Sequence, residues 1–179
     1  MKVMILVGSA DATSHSLGLG KAIEAKLKAL GATVEFINLV EYGLPLYDRR
    51  IERAESQDET TKVFLQKSLE MDAFVWLTPI YHNSFSSMLK NALDWHHSTK
   101  FPGKVVGLAS NGGHRSPQAV DQLMIVARSQ GLVTIPTRIC TDESDYNEQF
   151  EITDNNIIER VDRFSHELVD FVNKHTVAS

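Results

Sequence analysis

The chain has one cysteine, Cys140, in 179 residues, which excludes an intrachain disulfide and a cysteine-rich metal site and fits a reducing compartment. It also has no surplus of basic charge. Eighteen Lys and Arg stand against 23 Asp and Glu, for a formal net charge of −5. The basic residues are scattered, so no nucleic-acid partner is expected, because such binding needs clustered cations to release counterions. Long apolar runs are missing as well. Nothing approaches the roughly 18 consecutive apolar residues of a membrane span, and the run Val3–Val7 breaks at Gly8-Ser9, too soon for the core of a signal peptide. The expected setting is therefore the cytoplasm, with no membrane partner.

What is present is ordinary for a soluble globular protein: 42% hydrophobic and 23% charged residues. With no linker or repeat in view, residues 1–179 read as one domain around one core. Short apolar runs alternate with helical patterns, the signature of βαβ units around a mostly parallel sheet. Five strands are expected at Val3–Val7, Val34–Leu39, Ala73–Thr78, Val105–Ser110 and Leu132–Ile135, each lacking clean alternation, as where both sheet faces are covered. Helices are expected at Ser16–Leu30, Glu59–Glu70, Ser86–His97, Pro117–Gln130 and Asn155–His175. Val120, Leu123, Met124 and Ala127 share one helix face, as do Leu19, Ile23, Leu27 and Leu30. Gly31 and Gly131 fall where C-caps belong, and Asp154 stands to cap the last helix. Two connections, Glu41–Asp58 and Arg138–Asp154, are long enough to suggest function.

In an open α/β sheet the ligand sits at the carboxyl ends of the strands, where strand order reverses. After the first strand comes Gly8-Ser9-Ala10-Asp11-Ala12-Thr13-Ser14-His15-Ser16, a hydroxyl-rich turn into a helix start. Hydroxyls and free backbone N–H groups there can converge on a phosphate. The plain alternative is that Ser14 or Ser16 only caps the helix. The segment lacks the Lys-Ser or Lys-Thr of a P-loop, and Gly18-Leu19-Gly20 lacks a third glycine, which disfavours ATP and Rossmann dinucleotides. After the third strand the chain reads Thr78-Pro79-Ile80-Tyr81-His82-Asn83 and continues to Leu89-Lys90-Asn91-Ala92-Leu93-Asp94-Trp95. After the fourth it reads Ser110-Asn111-Gly112-Gly113-His114-Arg115. Such loops can give a flat heterocycle a close backbone on one side and an apolar plane on the other.

These three segments together resemble the NADPH-dependent FMN reductase family of the flavodoxin-like superfamily, whose members include azoreductase-like, quinone-reducing and chromate-reducing enzymes. The most specific element is the pattern from Thr78-Pro79-x-Tyr81 to Leu89-Lys90-Asn91-Ala92-Leu93-Asp94-Trp95. The resemblance implies a three-layer α/β sandwich with a five-stranded parallel sheet of order 2-1-3-4-5. It implies FMN as cofactor and NADPH or NADH as co-substrate, and a homodimer or homotetramer. By position, Ser9, Thr13, Ser14, Ser16 and Leu17 would hold the phosphate. Pro79, Ile80, Tyr81, His82 and Asn83 would line the isoalloxazine and ribityl chain, and Ser110, Asn111, Gly112 and Gly113 would flank the ring's other edge.

Two positions depart from the family pattern. Asp11 stands where a basic residue is usual, and a carboxylate ~6 Å from a phosphate at an effective dielectric of ~20 costs about 3 kcal/mol per unit charge. Ile80 stands where many members carry Glu. The activity implied is transfer of hydride from NAD(P)H to FMN and then to a quinone, azo compound, metal oxyanion or free flavin in ping-pong fashion. The flavin carries the redox chemistry, so no catalytic residue is required of the protein. The alternative is a flavodoxin-like FMN carrier reduced by a protein partner, although such carriers show a denser acidic rim. His82, His96, His97 and His114 are spaced poorly for a metal, and Cys140 reads as structural. His114 and Arg115 stand where they could meet a dinucleotide phosphate, or serve as solvated loop charges. The charged stretch Glu52–Glu59 reads as a solvated surface.

Overall fold

A computed structural model of the chain describes residues 1–52, 58–96 and 101–176. His97 and most of the charged Glu52–Glu59 stretch lie outside these residues. The elements run β1 (Lys2–Val7), α1 (His15–Ala29), β2 (Thr33–Asn38), α2 (Leu39–Tyr42), α3 (Arg49–Glu52), α4 (Glu59–Leu69), β3 (Ala73–Tyr81), β4 (Ser84–Phe85) and α5 (Ser87–Trp95). They continue with β5 (Val105–Asn111), α6 (Gln118–Ser129), β6 (Val133–Thr134), β7 (Ile139–Thr141), a 3-10 turn at Glu143–Asp145, and α7 (Asn155–Thr176).

The main sheet has the order β2-β1-β3-β5-β6, all parallel. This is the expected 2-1-3-4-5 order once the short return strand β4 is set apart. Strand β1 shows how the sequence imposes it. Val3, Ile5 and Val7 pack on one face against Leu19, Ile23 and Leu27 of α1 and Phe164 and Leu168 of α7. Met4 and Leu6 pack on the other with Phe64, Trp76, Leu93 and Trp95. Each such fully buried aliphatic contributes about 1.5–3 kcal/mol, so a strand apolar on both faces is stable only as an inner strand. Strand order reverses between β1 and β3, which puts the carboxyl ends of β1, β3 and β5 side by side.

The structure corrects four details. The third strand runs past Thr78 to Tyr81, turns at His82-Asn83 with φ of 51° and 62°, and returns antiparallel as β4. Two positive φ values in a two-residue loop belong to the hairpin turn that matches strand twist. The fifth strand is interrupted at Pro136, which has no N–H to donate, and resumes as β7 inside the supposed loop Arg138–Asp154, pairing with Ala109–Asn111. Met124 is 44% exposed, whereas Val120, Leu123 and Ala127 are buried. Leu30 ends α1 as its C-cap rather than belonging to its buried face. Gly31 and Gly131 do take the left-handed C-cap conformation, with φ of 84° and 75°.

Candidate functional site

The loop after β1 is organised from within. Ser14 is the N-cap of α1, its Oγ accepting from the Leu17 N–H at 3.2 Å. Buried Ser9 accepts from the Asp11 N–H at 3.1 Å. The Asp11 carboxylate accepts from the Thr13 N–H at 3.0 Å and faces the Thr13 hydroxyl at 3.4 Å. Ser16 is buried in the first turn of α1. The first turn of a helix leaves N–H groups without intrahelical acceptors, so those of His15 and Ser16 can serve as anion donors.

The first and third loops are tied together. The Gly8 N–H donates to the Leu77 carbonyl at 2.8 Å, and the Ser86 hydroxyl donates to the Gly8 carbonyl. Ser86 also caps α5, accepting from the Leu89 N–H at 3.2 Å. A Cβ at Gly8 would lie 2.6 Å from Leu89 Cβ, so glycine is needed for this approach. Thr78 Oγ1 accepts from the Ser86 N–H at 2.9 Å and donates to the Pro79 carbonyl at 2.8 Å. Pro79 is thereby buried beneath a half-buried Ile80, while Tyr81, His82 and Asn83 are exposed. Gln122 of α6 braces the hairpin, accepting from Ser84 Oγ at 2.6 Å and donating to the Asn83 carbonyl at 2.8 Å.

The fourth loop lies directly alongside. Thr78 pairs with Ser110 and Pro79 with Asn111. Gly112 and Gly113 adopt φ of 107° and 59°, and a Cβ at Gly113 would stand 3.3 Å from Ile80 Cδ1. The Ser110 hydroxyl is buried with no hydrogen-bond partner among the described residues. Behind these residues, Thr141 donates to Asn111 Oδ1 at 3.0 Å and receives the Tyr146 hydroxyl at 2.8 Å, while its carbonyl accepts from the Gly112 N–H at 2.8 Å. Burial pushes the Tyr146 phenol above its ordinary pKa, so it stays a neutral donor.

Arg115 is occupied elsewhere. Its guanidinium is paired with the fully buried Asp145 and with Asp154 at 3.1 Å, and these hydrogen bonds hold its pKa up. The His114 N–H donates to Asp142 at 3.0 Å. The Gly112–Ser116 loop is thus strapped to the Asp142–Asp145 turn, and Arg115 is a strut instead of a free phosphate ligand. His96 is a core residue. It is stacked 5.0 Å from Phe64, and its Nε2 is 3.0 Å from Ser68 Oγ; burial lowers its pKa to about 3 and keeps it neutral.

Sequence reasoning missed Ser86, Gln122, Thr141, Tyr146 and the Asp142/Asp145 turn. The spacing Asp142-x-x-Asp145 is a capping box and was a usable signal for the turn. A groove of about 760 Å³ begins at Thr13 and Ser14 and runs between α1 and α7, with no residue of β3 or β5 in its lining. Pro79 and Ile80 instead lie beside the Asn111–Gly113 backbone. Hydroxyls at Ser9, Thr13 and Ser14, unspent N–H groups at the α1 start and the orphaned Ser110 hydroxyl fit a flat ring with a phosphate-bearing tail. Asp11 brings an opposing charge into the loop after β1.

Sheet order and the helices on both faces define a flavodoxin-like α/β protein. The chain belongs to the NADPH-dependent FMN reductase family, which it matches over residues 1–145. It is 32% identical over 188 residues to an FMN-dependent NADPH-azoreductase of Staphylococcus saprophyticus subsp. saprophyticus, covering 96% of this chain and 95% of that one. A Staphylococcus aureus FMN-dependent NADPH-azoreductase is 32% identical over 180 residues, covering 97% and 96%. Among solved structures, the flavoenzyme NAD(P)H:(acceptor) oxidoreductase FerB of Paracoccus denitrificans shares the fold with a TM-score of 0.81 at 23% identity, covering 97% of this chain and 98% of that one. An archaeal flavodoxin shares it with a TM-score of 0.68 at 13% identity, covering 97% and 99%. By family, the chain is an NAD(P)H-dependent flavin reductase with FMN as cofactor. No helix among the described residues is long and apolar enough to cross a membrane.

Proposed function

We propose that residues 1–179 form a single FMN-binding domain that takes reducing equivalents from NADPH or NADH and passes them to a small acceptor by a ping-pong route. The acceptor is a quinone, azo compound, metal oxyanion or free flavin. The observation that carries this reading is the direct contact of the third and fourth loops, Thr78-Pro79 beside Ser110-Asn111 with Ile80 against Gly113. Bound FMN would supply the two-electron chemistry by accepting hydride from the nicotinamide. Ser9, Thr13, Ser14, Ser16 and Leu17 would hold its phosphate. Pro79, Ile80, Tyr81, His82 and Asn83 would hold the ring and ribityl chain on one side, and Ser110, Asn111, Gly112 and Gly113 on the other. Ile80 cannot move a proton, so the protein's part is to bind, orient and exclude water. Donor and acceptor would use one exposed ring face in turn, and no ternary complex forms.

A homodimer, or a homotetramer built from it, in the cytoplasm completes the reading. It is supported by the apolar surface where Leu46, 82% exposed, borders Leu44 and Met88. Steady-state rates with NADPH and a quinone varied together test the mechanism. Parallel double-reciprocal lines are expected, and intersecting lines reject the ping-pong route.

A further inference from the structure

We propose that Asp11 is a built-in competitor for the flavin phosphate, so that this chain selects its flavin by the ring and ribityl chain and accepts riboflavin about as readily as FMN. The inference rests on the flavin-site reading above. Its substance is the internal bonding of the loop after β1. The hydroxyl and N–H of Thr13 are two of the donors that this loop would offer a phosphate, and both face one oxygen of the Asp11 carboxylate, at 3.4 and 3.0 Å. Ser9 Oγ is engaged in the same network, accepting from the Asp11 N–H at 3.1 Å, so the loop is already folded around an anion of its own.

A phosphate arriving there must displace the carboxylate from Thr13 and then remain close to its charge. Asp11 has no ion-pair partner among the described residues, and Arg115, the basic side chain of the loop after β5, is committed to Asp145 and Asp154. The gain usual for a phosphate at a helix N-terminus is therefore cancelled in large part, whereas contacts to the ring from Pro79, Ile80 and Gly113 are untouched. A flavin held mainly by its ring exchanges readily. Unphosphorylated flavin thus enters the substrate class, and reduced flavin can leave the protein as product.

Equilibrium titration of the purified chain with FMN and with riboflavin, read by quenching of flavin fluorescence, tests this with two variants. Asp11→Asn keeps an oxygen for Thr13 and removes the charge; Asp11→Ala removes both. Asp11 is exposed, and thermal melts of the flavin-free proteins check that each variant folds. The wild-type Kd values for the two flavins should agree within about threefold. Asp11→Ala should tighten FMN by at least about tenfold, equivalent to about 1.4 kcal/mol, with Asp11→Asn between it and wild type and riboflavin unchanged throughout. A wild-type preference for FMN of about a hundredfold, or an FMN Kd unmoved in both folded variants, overturns the proposal and leaves the flavin site standing. Absence of quenching by either flavin in all three proteins overturns the site reading itself, and the proposal with it.

Discussion

Replacing Arg115 with alanine should destabilise the Gly112–Ser116 loop by an amount that the geometry sets. Asp145 is fully buried and faces the guanidinium through both carboxylate oxygens. Removing one partner of a buried pair costs about 3–5 kcal/mol, most of it the cost of stranding the other charge. Two features reduce that figure here. The Arg115 side chain is 44% exposed, so water reaches the vacated position, and Asp145 keeps the Asp142 N–H at 2.8 Å. A loss of about 2–3 kcal/mol follows. For a domain of this size that lowers the melting temperature by about 4–12 °C. Asp145→Asn and the double variant complete a cycle in urea, in which the two single losses should exceed the double loss by at least about 1 kcal/mol. An Arg115→Ala protein within about 0.5 kcal/mol of wild type, or additive losses, would refute the view that this pair straps the two loops together.

Three more outcomes follow from the same geometry. Gly18→Ala places a Cβ 1.9 Å from the Phe150 carbonyl oxygen, which must push the Tyr146–Ile152 segment off α1; unfolding in urea should show a net loss of about 1–2 kcal/mol even after the helix-propensity gain of alanine. His96 has its pKa depressed to about 3 when folded, so the unfolded chain binds the extra proton between pH 3 and 6.5. Its stabilisation is present above pH 6.5 and is lost as pH falls, about 1 kcal/mol between pH 7 and 5.5, and His96→Phe should flatten that part of the stability profile. Gly113→Ala meets both the positive φ of 59° and Ile80 Cδ1 at 3.3 Å. It should weaken both flavins alike in fluorescence titration if, as proposed, Gly113 borders the ring and not the phosphate.

The sheet was legible because β1, β3 and β5 are apolar on both faces, and only an inner parallel strand tolerates that pattern, whereas its order came from the family resemblance. With that order the loops after β1, β3 and β5 fall side by side. What escaped was set by contacts distant in sequence. The hairpin at His82-Asn83 has no glycine to announce its positive φ values, and it is held by Gln122 from a helix almost forty residues on. Strand β7 lay hidden because Pro136 splits one strand into two pieces of two and three residues, each too short to show periodicity. Met124 fits the apolar stripe of α6 by spacing yet faces solvent, since helical period fixes a face only to within a residue at its edge. Asp11 was visible as a charge in the wrong place, but only the structure shows that it has taken the Thr13 donors for itself.

The central claim, that this site holds FMN where NAD(P)H can reduce it and a small acceptor can then discharge it, is tested most directly by separating the two half-reactions without oxygen. Protein mixed with FMN and one equivalent of NADPH should lose the yellow absorbance of oxidised flavin, and a quinone added after removal of the nucleotide should restore it. Flavin that binds yet stays oxidised with both NADPH and NADH would contradict the account.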